Sequence, residues 1–117
     1  MTYYDSTDTA AAVTYSPGSD IWTNNWNHIV YTRDISVMKL YLNGNLVKTT
    51  PGGNGFMQQT TTTVRDYFAA LHNSTYTPDQ LFNGLIDQVA IWNITLDQDQ
   101  INALWNNNMG RPYSEWI

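Results

Sequence analysis

The chain has 117 residues, of which 42% are apolar, 14% aromatic and only 13% charged, with a net charge of −5 and no cysteine. This length suffices for one domain with its own core, so we expect residues 1–117 to form a single domain. The lack of cysteine excludes disulfide frameworks, thiolate zinc sites and thiol nucleophiles, and the acidic balance offers no basic surface to nucleic acid or anionic membranes.

Antiparallel strands are the predicted framework of the chain. Runs of β-branched and aromatic residues alternate with polar ones, and Gly, Pro and Asn clusters interrupt them about every ten residues, which is typical of an all-β fold. The predicted strands are residues 2–4, 11–15, 27–33, 38–42, 46–50, 66–72 and 84–92.

The beginning of the third predicted strand contains both an aromatic residue and an imidazole. Trp26 and His28 share one strand face because side chains alternate along a strand. His28 has no carboxylate beside it in the sequence, so we interpret it as a structural hydrogen-bonding residue rather than as a metal ligand or a base.

The sequence MKLYLNGNLVKTT predicts a tight hairpin around Asn43 and Gly44, the pair that best tolerates the positive φ angles of a type I′ turn. A two-residue turn places Tyr41 opposite Leu46, and we expect both to face outward with two lysines on a partly wet face. This pair either braces the hairpin or forms an apolar floor for a sugar or a partner chain. The residues expected to face inward are Leu40, Leu42 and Val47.

The sequence LDQDQINALWNNNMGRP has helical spacing. Asp97 is the predicted N-cap and Gln100 completes a capping box, while Leu96 and Ile101 form a hydrophobic staple. The asparagines at 106–108 are expected to end this short packing helix.

Catalysis is not indicated by the residues present. The only glutamate is Glu115 in the tail, and Asp97 and Asp99 lie in the first helical turn, where capping and the helix dipole account for them. A glycosidase pair of carboxyl groups is therefore not indicated. Because His28 and His72 are the only imidazoles and no nucleophile elbow is present, we predict that the chain is not an enzyme.

One short stretch has oxygen ligands suited to calcium. The sequence YYDSTDT brings Asp5 and Asp8 into one predicted turn, where they could hold Ca²⁺ or form an ordinary Asx turn. The fixed spacing of a known calcium loop is missing, and no other cofactor is indicated.

Two stretches, WTNNWNHIVYTRDISVMKLYLNGNLV and FNGLIDQVAIWNITLDQDQINALWNN, resemble laminin G-like or concanavalin A-like domains of bacterial and viral proteins. The shared features are a Trp with a His two residues later, a strand ending in Thr-Arg-Asp, the LYLNG hairpin, and a Phe-x-Gly-x-Ile-Asp-x-Val strand before a capped helix. The resemblance covers about residues 22–108.

The resemblance implies a two-sheet antiparallel jelly-roll sandwich with one short C-terminal helix, and it makes Asp87 a structural residue of a turn. We expect the sandwich to enclose Trp26, Leu40, Val47 and Ile86. The side chains assigned to its closing strand are Phe82, Leu85, Ile86, Val89 and Ile91.

Family members carry several more strands before the segment at Trp26, and this chain has only 25 residues there. Unpaired strand edges invite pairing, so we expect either an incomplete N-terminus or completion by a partner chain or a homo-oligomer.

The function implied by the resemblance is non-catalytic binding of a glycan or glycoprotein through rim loops and a sheet face. An alternative is a structural component of a larger assembly, such as a phage capsid decoration protein or tail protein.

The expected location is extracellular or on a virion surface, although MTYYDSTDTA is no signal peptide and no stretch predicts membrane insertion. The predicted ligand-binding residues are Tyr41, Leu46, Asn54, Phe56, Gln58 and Tyr76.

Overall fold

The structure is a computed structural model that describes residues 2–4, 10–16, 18, 25–52, 71–72, 78–79, 81–112 and 114. The chain divides into two compact units, one formed by Met1–Gln58 with Ile91–Ile117 and the other by Gln59–Ala90. Of the predicted strand at residues 66–72, only the last two residues lie within the described part.

Antiparallel strands form every sheet in the described part of the chain. The first unit contains the pair β1–β2 and a three-stranded sheet in the order β3-β4-β5, and the second unit contains the pair β6–β7. All-antiparallel pairing and the positions of β1, β3, β4 and β5 follow the sequence prediction to within two residues. The bounds are β1 Thr2–Tyr4, β2 Ala10–Ala12, β3 Ile29–Arg33, β4 Val37–Leu42, β5 Asn45–Pro51, β6 Leu71–His72 and β7 Pro78–Asp79.

The two turns of the central sheet are made by short polar side chains. Asn43 and Gly44 connect β4 to β5 with φ angles of 51° and 77°, as a type I′ turn requires. Between β3 and β4, the Asp34 carboxylate accepts hydrogen bonds from the backbone N–H groups of Ser36 and Val37 at 2.8 and 3.1 Å. Each turn is therefore fixed by residues within it.

The β4–β5 ladder contains a bulge that the sequence did not indicate. Tyr41 pairs with Leu46 as predicted, but the register then shifts, so that Leu40 pairs with Lys48 instead of Val47. Val47 is the extra residue on β5.

The helix α1, Gln98–Trp105, has the predicted capping box. The Asp97 carboxylate accepts a hydrogen bond from Gln100 N–H at 2.8 Å, and Asp97 N–H donates to Gln100 Oε1 at 2.9 Å. Leu96 and Ile101, the predicted staple, are both buried in the same cluster. No helix in the described part is both long and apolar enough to cross a membrane.

Two apolar clusters cover opposite faces of the central sheet. On one face, Met38 packs with Val13, Tyr31 and Leu40. The other face lies under α1, and its buried residues are Val30, Tyr41, Leu96, Ile101 and Leu104.

The predicted orientation of Tyr41 was wrong. Its side chain is only 4% exposed because α1 covers the sheet face that the two lysines led us to expect in contact with water. Leu46 remains 48% exposed. Lys39 is half-buried at the margin of that face. A long lysine side chain can bury its stem while its ammonium reaches water, so a lysine does not exclude an apolar neighbour.

The predicted strand at residues 84–92 was also wrong. No strand forms anywhere in residues 81–92, all of which the structure describes. Gln88 has a φ angle of 52°, which interrupts an extended backbone, and Asp87 accepts a hydrogen bond from Gln88 N–H within this local turn. The side chains assigned to the closing strand are all more than half exposed: Phe82, Leu85, Ile86, Val89 and Ile91.

The four side chains expected to be enclosed by the sandwich do not form one core. Trp26 and Ile86 are 58% and 52% exposed, while Leu40 is half-buried beside Met38 and Val47 is half-buried on β5. The buried cores of the first unit instead come from Tyr41 and the helix on one face and from Met38 on the other.

Candidate functional site

The helix α1 lies on the turn of the β4–β5 hairpin. Gln98 Nε2 donates a hydrogen bond to the Gly44 carbonyl at 2.7 Å. A Cβ atom on Gly44 would be only 3.0 Å from Trp105 Cδ1 and 3.2 Å from Asn102 Oδ1. Glycine is therefore needed here for the close approach of the helix as well as for the positive φ.

Asn43 joins the turn to the beginning of β3. Its Oδ1 accepts a hydrogen bond from His28 N–H at 2.8 Å, and its own N–H donates to the His28 carbonyl at 2.8 Å. Asn43 Nδ2 also donates to Asn27 Oδ1 at 3.0 Å. The side chain of Asn43 is thus fully used inside the protein.

His28 is held by stacking rather than by hydrogen bonds of its ring. Its imidazole lies 5.9 Å from the Trp105 ring centroid at an interplanar angle of 17°, and burial lowers the pKa of His28 from its ordinary value. Its Nδ1 is buried and has no hydrogen-bond partner among the residues that the structure describes. The structural role predicted for His28 agrees with this geometry, but the predicted side-chain hydrogen bond is not found at Nδ1.

A cleft of about 390 Å³ opens beside this junction, within the range of roughly 300–1,000 Å³ that small-molecule sites occupy. We call it the amide cleft because side-chain amides dominate its lining, and no charged residue from the described ranges contributes to it. Its lining residues are Asn43, Gly44, Asn45, Asn102, Trp105 and Asn107.

Several polar groups in the amide cleft are unused by the protein. Asn45 donates through Nδ2 to the Asn43 carbonyl at 3.0 Å, and Asn102 accepts through Oδ1 from Gln98 at 2.9 Å. Within the described residues, no partner is found for Asn45 Oδ1, Asn102 Nδ2, the Trp105 indole N–H or the Asn107 amide. Hydroxyl groups can satisfy such neighbouring donors and acceptors, because a hydroxyl both donates and accepts.

A second cleft, of about 360 Å³, lies between the central sheet and the beginning of α1. We call it the strand cleft. It brings together the two predicted ligand-binding residues that the structure describes, Tyr41 and Leu46. Its full lining is Thr32, Asp34, Val37, Lys39, Tyr41, Leu46, Thr95, Leu96, Asp97 and Gln98.

Polar groups of the strand cleft mostly hold the fold together. Asp34 stabilises the β3–β4 turn and Asp97 caps the helix, while Thr95 Oγ1 donates to the Arg33 carbonyl at 2.8 Å. The backbone hydrogen bond from Ser36, followed by the one from Val37, lowers the pKa of Asp34, so this carboxyl is ionised at neutral pH and cannot act as a general acid there. The amide cleft differs in that none of the polar side chains known to line it holds a sheet turn or a helix N-terminus through a carboxylate.

The remaining predicted site residues lie outside the described part of the chain. These are the loop candidates Asn54, Phe56, Gln58 and Tyr76 and the calcium candidates Asp5 and Asp8. Among the residues that are described, no group of three or more His, Cys, Asp or Glu side chains could hold a metal ion.

Sequence reasoning predicted none of the six lining residues of the amide cleft as binding residues, and it assigned Asn43 and Gly44 only to the turn. The signal available was the density of asparagine in LNGN and in LWNNN. We interpret LNGN as a hairpin turn and LWNNN as the end of a helix, so both motifs are explained by backbone conformation alone. Only the packing of α1 on the turn, which no local pattern encodes, brings them to one cleft.

Comparisons with known proteins agree with the sequence resemblance. A laminin G model described as the concanavalin A-like lectin/glucanases superfamily matches residues 1–102. No curated protein matches the chain. Among solved structures, the chain is similar to the crystal structure of residues 221–444 of an S-layer domain-containing protein from Clostridium thermocellum ATCC 27405, with a TM-score of 0.53 and 22% identity.

That similarity covers 83% of this chain and 44% of the solved chain. This chain therefore spans less than half of the solved protein. At 22% identity, the likeness establishes a shared fold.

Proposed function

This chain belongs to the concanavalin A-like lectin/glucanases superfamily, and from that premise we propose that it is a non-catalytic recognition module that binds a glycan or glycoprotein. The observation that carries the proposal is the amide cleft, in which amide groups without a partner among the described residues line the same space as Trp105. Amides hydrogen-bond sugar hydroxyls, and an aromatic side chain offers an apolar contact to the C–H groups of a sugar.

The proposal includes the complete family fold, a single domain formed by a two-sheet jelly-roll sandwich. The central three-stranded antiparallel sheet and the capped helix support it. It also includes an extracellular or cell-surface location, which the likeness to a protein described as S-layer domain-containing favours.

A non-catalytic role is favoured by the two carboxylates that line the strand cleft. Asp34 and Asp97 each accept backbone hydrogen bonds that hold a turn or a helix end. A glycosidase acid must instead remain protonated beside the scissile bond. Calcium at Asp5 and Asp8 remains a part of the proposal that metal titration can test.

The proposal can be tested with a panel of short neutral and acidic oligosaccharides, using thermal denaturation and titration calorimetry. A saccharide present at about one hundred times its Kd should stabilise the folded chain by about 2.7 kcal/mol, because it binds only the folded state. No hydrolysis products should appear in the mixture.

The matched variants are Asn102→Ala in the amide cleft and Asn93→Ala, an exposed amide outside it. Losing one hydrogen bond to the ligand should weaken binding roughly three- to tenfold in Asn102→Ala. The Asn93→Ala variant should bind like the original chain. Equal affinities of the two variants, or no binding of any saccharide by the original chain, would contradict the proposal.

The second candidate function is that of a structural subunit in a larger assembly, such as a capsid decoration or tail protein. Exposed apolar side chains within residues 81–91 favour it, since contiguous apolar surface often marks protein contacts. Light scattering coupled to size-exclusion chromatography tests it. A monomer at micromolar concentration supports the recognition module, and a defined oligomer that Leu85→Lys dissociates supports the structural subunit.

A further inference from the structure

Three consecutive asparagines after α1 adopt the left-handed conformation. The φ angles of Asn106, Asn107 and Asn108 are 46°, 50° and 71°. Single left-handed residues commonly end helices, but the conformation is unfavourable for residues with a Cβ atom, and runs of it are unusual. A run of three therefore requires an explanation for each residue.

The first of the three asparagines is explained by the end of the helix. Asn106 is the C-cap, and its N–H donates to the Asn102 carbonyl. Its side chain donates to the Gly110 carbonyl at 2.9 Å, and its own carbonyl accepts from Met109 N–H at 3.1 Å. Both the backbone and the side chain of Asn106 thus stabilise the turn.

Asn107 has no comparable role inside the chain. Its side chain is exposed and finds no hydrogen-bond partner within the described residues, yet it lines the amide cleft beside Trp105. Glycine would adopt its φ of 50° with less strain. Backbone strain at a residue that lines a cleft is commonly associated with ligand binding.

We propose that Asn107 contacts the ligand and gives the amide cleft its specificity for neutral saccharides. This inference rests on the proposed function and adds to it the residue and the class of sugar. The left-handed turn holds the Asn107 amide at the cleft, where its donor and acceptor join those of Asn45 and Asn102.

The chemistry of the lining selects against acidic sugars. Among the residues that the structure describes, no lysine or arginine lines the amide cleft, and the unused groups include the acceptor oxygens of Asn45 and Asn107. A carboxylate or sulfate only accepts hydrogen bonds, so it would leave these oxygens unsatisfied and would lose its own hydration without a cation in return. Neutral hydroxyls satisfy both kinds of group.

The experiment compares Asn107→Gly with Asn108→Gly, two substitutions of the same residue type in the same left-handed turn. Only Asn107 lines the cleft. Glycine tolerates both backbone conformations, so the ligand-free melting temperature of each variant should equal or slightly exceed that of the original chain. Calorimetry with the best neutral oligosaccharide of the panel and with an oligogalacturonide then measures binding.

We expect Asn107→Gly to bind the neutral oligosaccharide roughly three- to tenfold more weakly, as the loss of one ligand hydrogen bond predicts. Asn108→Gly should bind it unchanged, and the original chain should bind the oligogalacturonide at least tenfold more weakly than the neutral sugar, a difference of about 1.4 kcal/mol.

Three results would overturn the inference while leaving the proposed function intact. Asn107→Gly could melt well below Asn108→Gly, which would make the Asn107 side chain structural. It could bind like the original chain while Asn102→Ala binds weakly, or the acidic sugar could bind best. If the original chain binds no saccharide at all, the proposed function fails and this inference fails with it.

Discussion

At the scale of single residues, His28 shows how a local motif acquires a role through a distant contact. The sequence predicts a strand that includes His28, and in the structure His28 directly precedes β3. Its stacking on Trp105 depends on a helix that is distant in the chain. Burial lowers the pKa of His28, which makes the junction of turn and helix sensitive to acid.

We expect the melting temperature to fall as the pH falls below about 6.5, and His28→Gln to reduce that fall. The folded-state pKa of His28 is lower than that of the unfolded chain, so the unfolded chain takes up the proton first and stability is lost below the unfolded pKa. Melting curves between about pH 7 and pH 5 measure the effect, with His72→Gln as the comparison. If the melting temperature falls equally steeply with pH in the original chain and in His28→Gln, the prediction is wrong.

Asp34 affects stability in a separate and lower pH range than His28. Because backbone hydrogen bonds lower its pKa, its contribution is lost only when the pH falls below the ordinary value of 3.8. A loss of stability near pH 6 can therefore be distinguished from the titration of Asp34.

A second prediction for a single residue concerns the stability that Gly44 gives to the turn. In Gly44→Ala, a left-handed φ of 77° and a Cβ only 3.0 Å from Trp105 should together lower the free energy of unfolding by about 1–3 kcal/mol. Gly18→Ala is the matched control because a Cβ there meets nothing within 4 Å. Urea denaturation measures both, and equal stability of the two variants would show that the helix does not press on the turn.

At the scale of elements, the parts that sequence could predict are those fixed by neighbouring residues. The turn at Asn43 and the capping box at Asp97 were both predicted, because each depends on residues within four positions. The burial of Tyr41 was not, because it depends on α1 packing across the sheet. The bulge at Val47 also has no signal in the alternating pattern. Lysines on the same face gave a misleading signal.

The cap itself provides the prediction at this scale. Asp97→Ala should lower the free energy of unfolding by about 1 kcal/mol, since it leaves Gln100 N–H without its acceptor. Asp97→Asn keeps an oxygen in the same position and should lose much less. Urea denaturation distinguishes the two variants. If Asp97→Asn lowers the free energy of unfolding as much as Asp97→Ala does, the charge of Asp97 and not its capping hydrogen bond stabilises the helix.

At the scale of the whole molecule, the alternating pattern at residues 84–92 shows a limit of sequence reasoning. Alternation indicates which side chains would be buried if a strand paired there, but pairing itself depends on a neighbouring strand. The structure gives this segment a left-handed residue, Gln88, and exposed apolar side chains. For the same reason the candidate site was only partly predictable, since the tertiary packing that creates the amide cleft has no local signature.

Charge is the other property of the whole chain that bears on binding. The chain carries 5 basic and 10 acidic residues. None of those that the structure describes lines the amide cleft. We therefore expect the Kd for a neutral saccharide to change less than about twofold between low and high salt, because added ions screen only interactions between charges. Titration calorimetry at several salt concentrations measures this. An anionic ligand would instead bind more tightly at high salt, because added ions screen its repulsion from a protein of net charge −5. A cationic ligand would bind more weakly, because the same ions screen its attraction. The sign of any salt dependence therefore identifies the charge of the ligand.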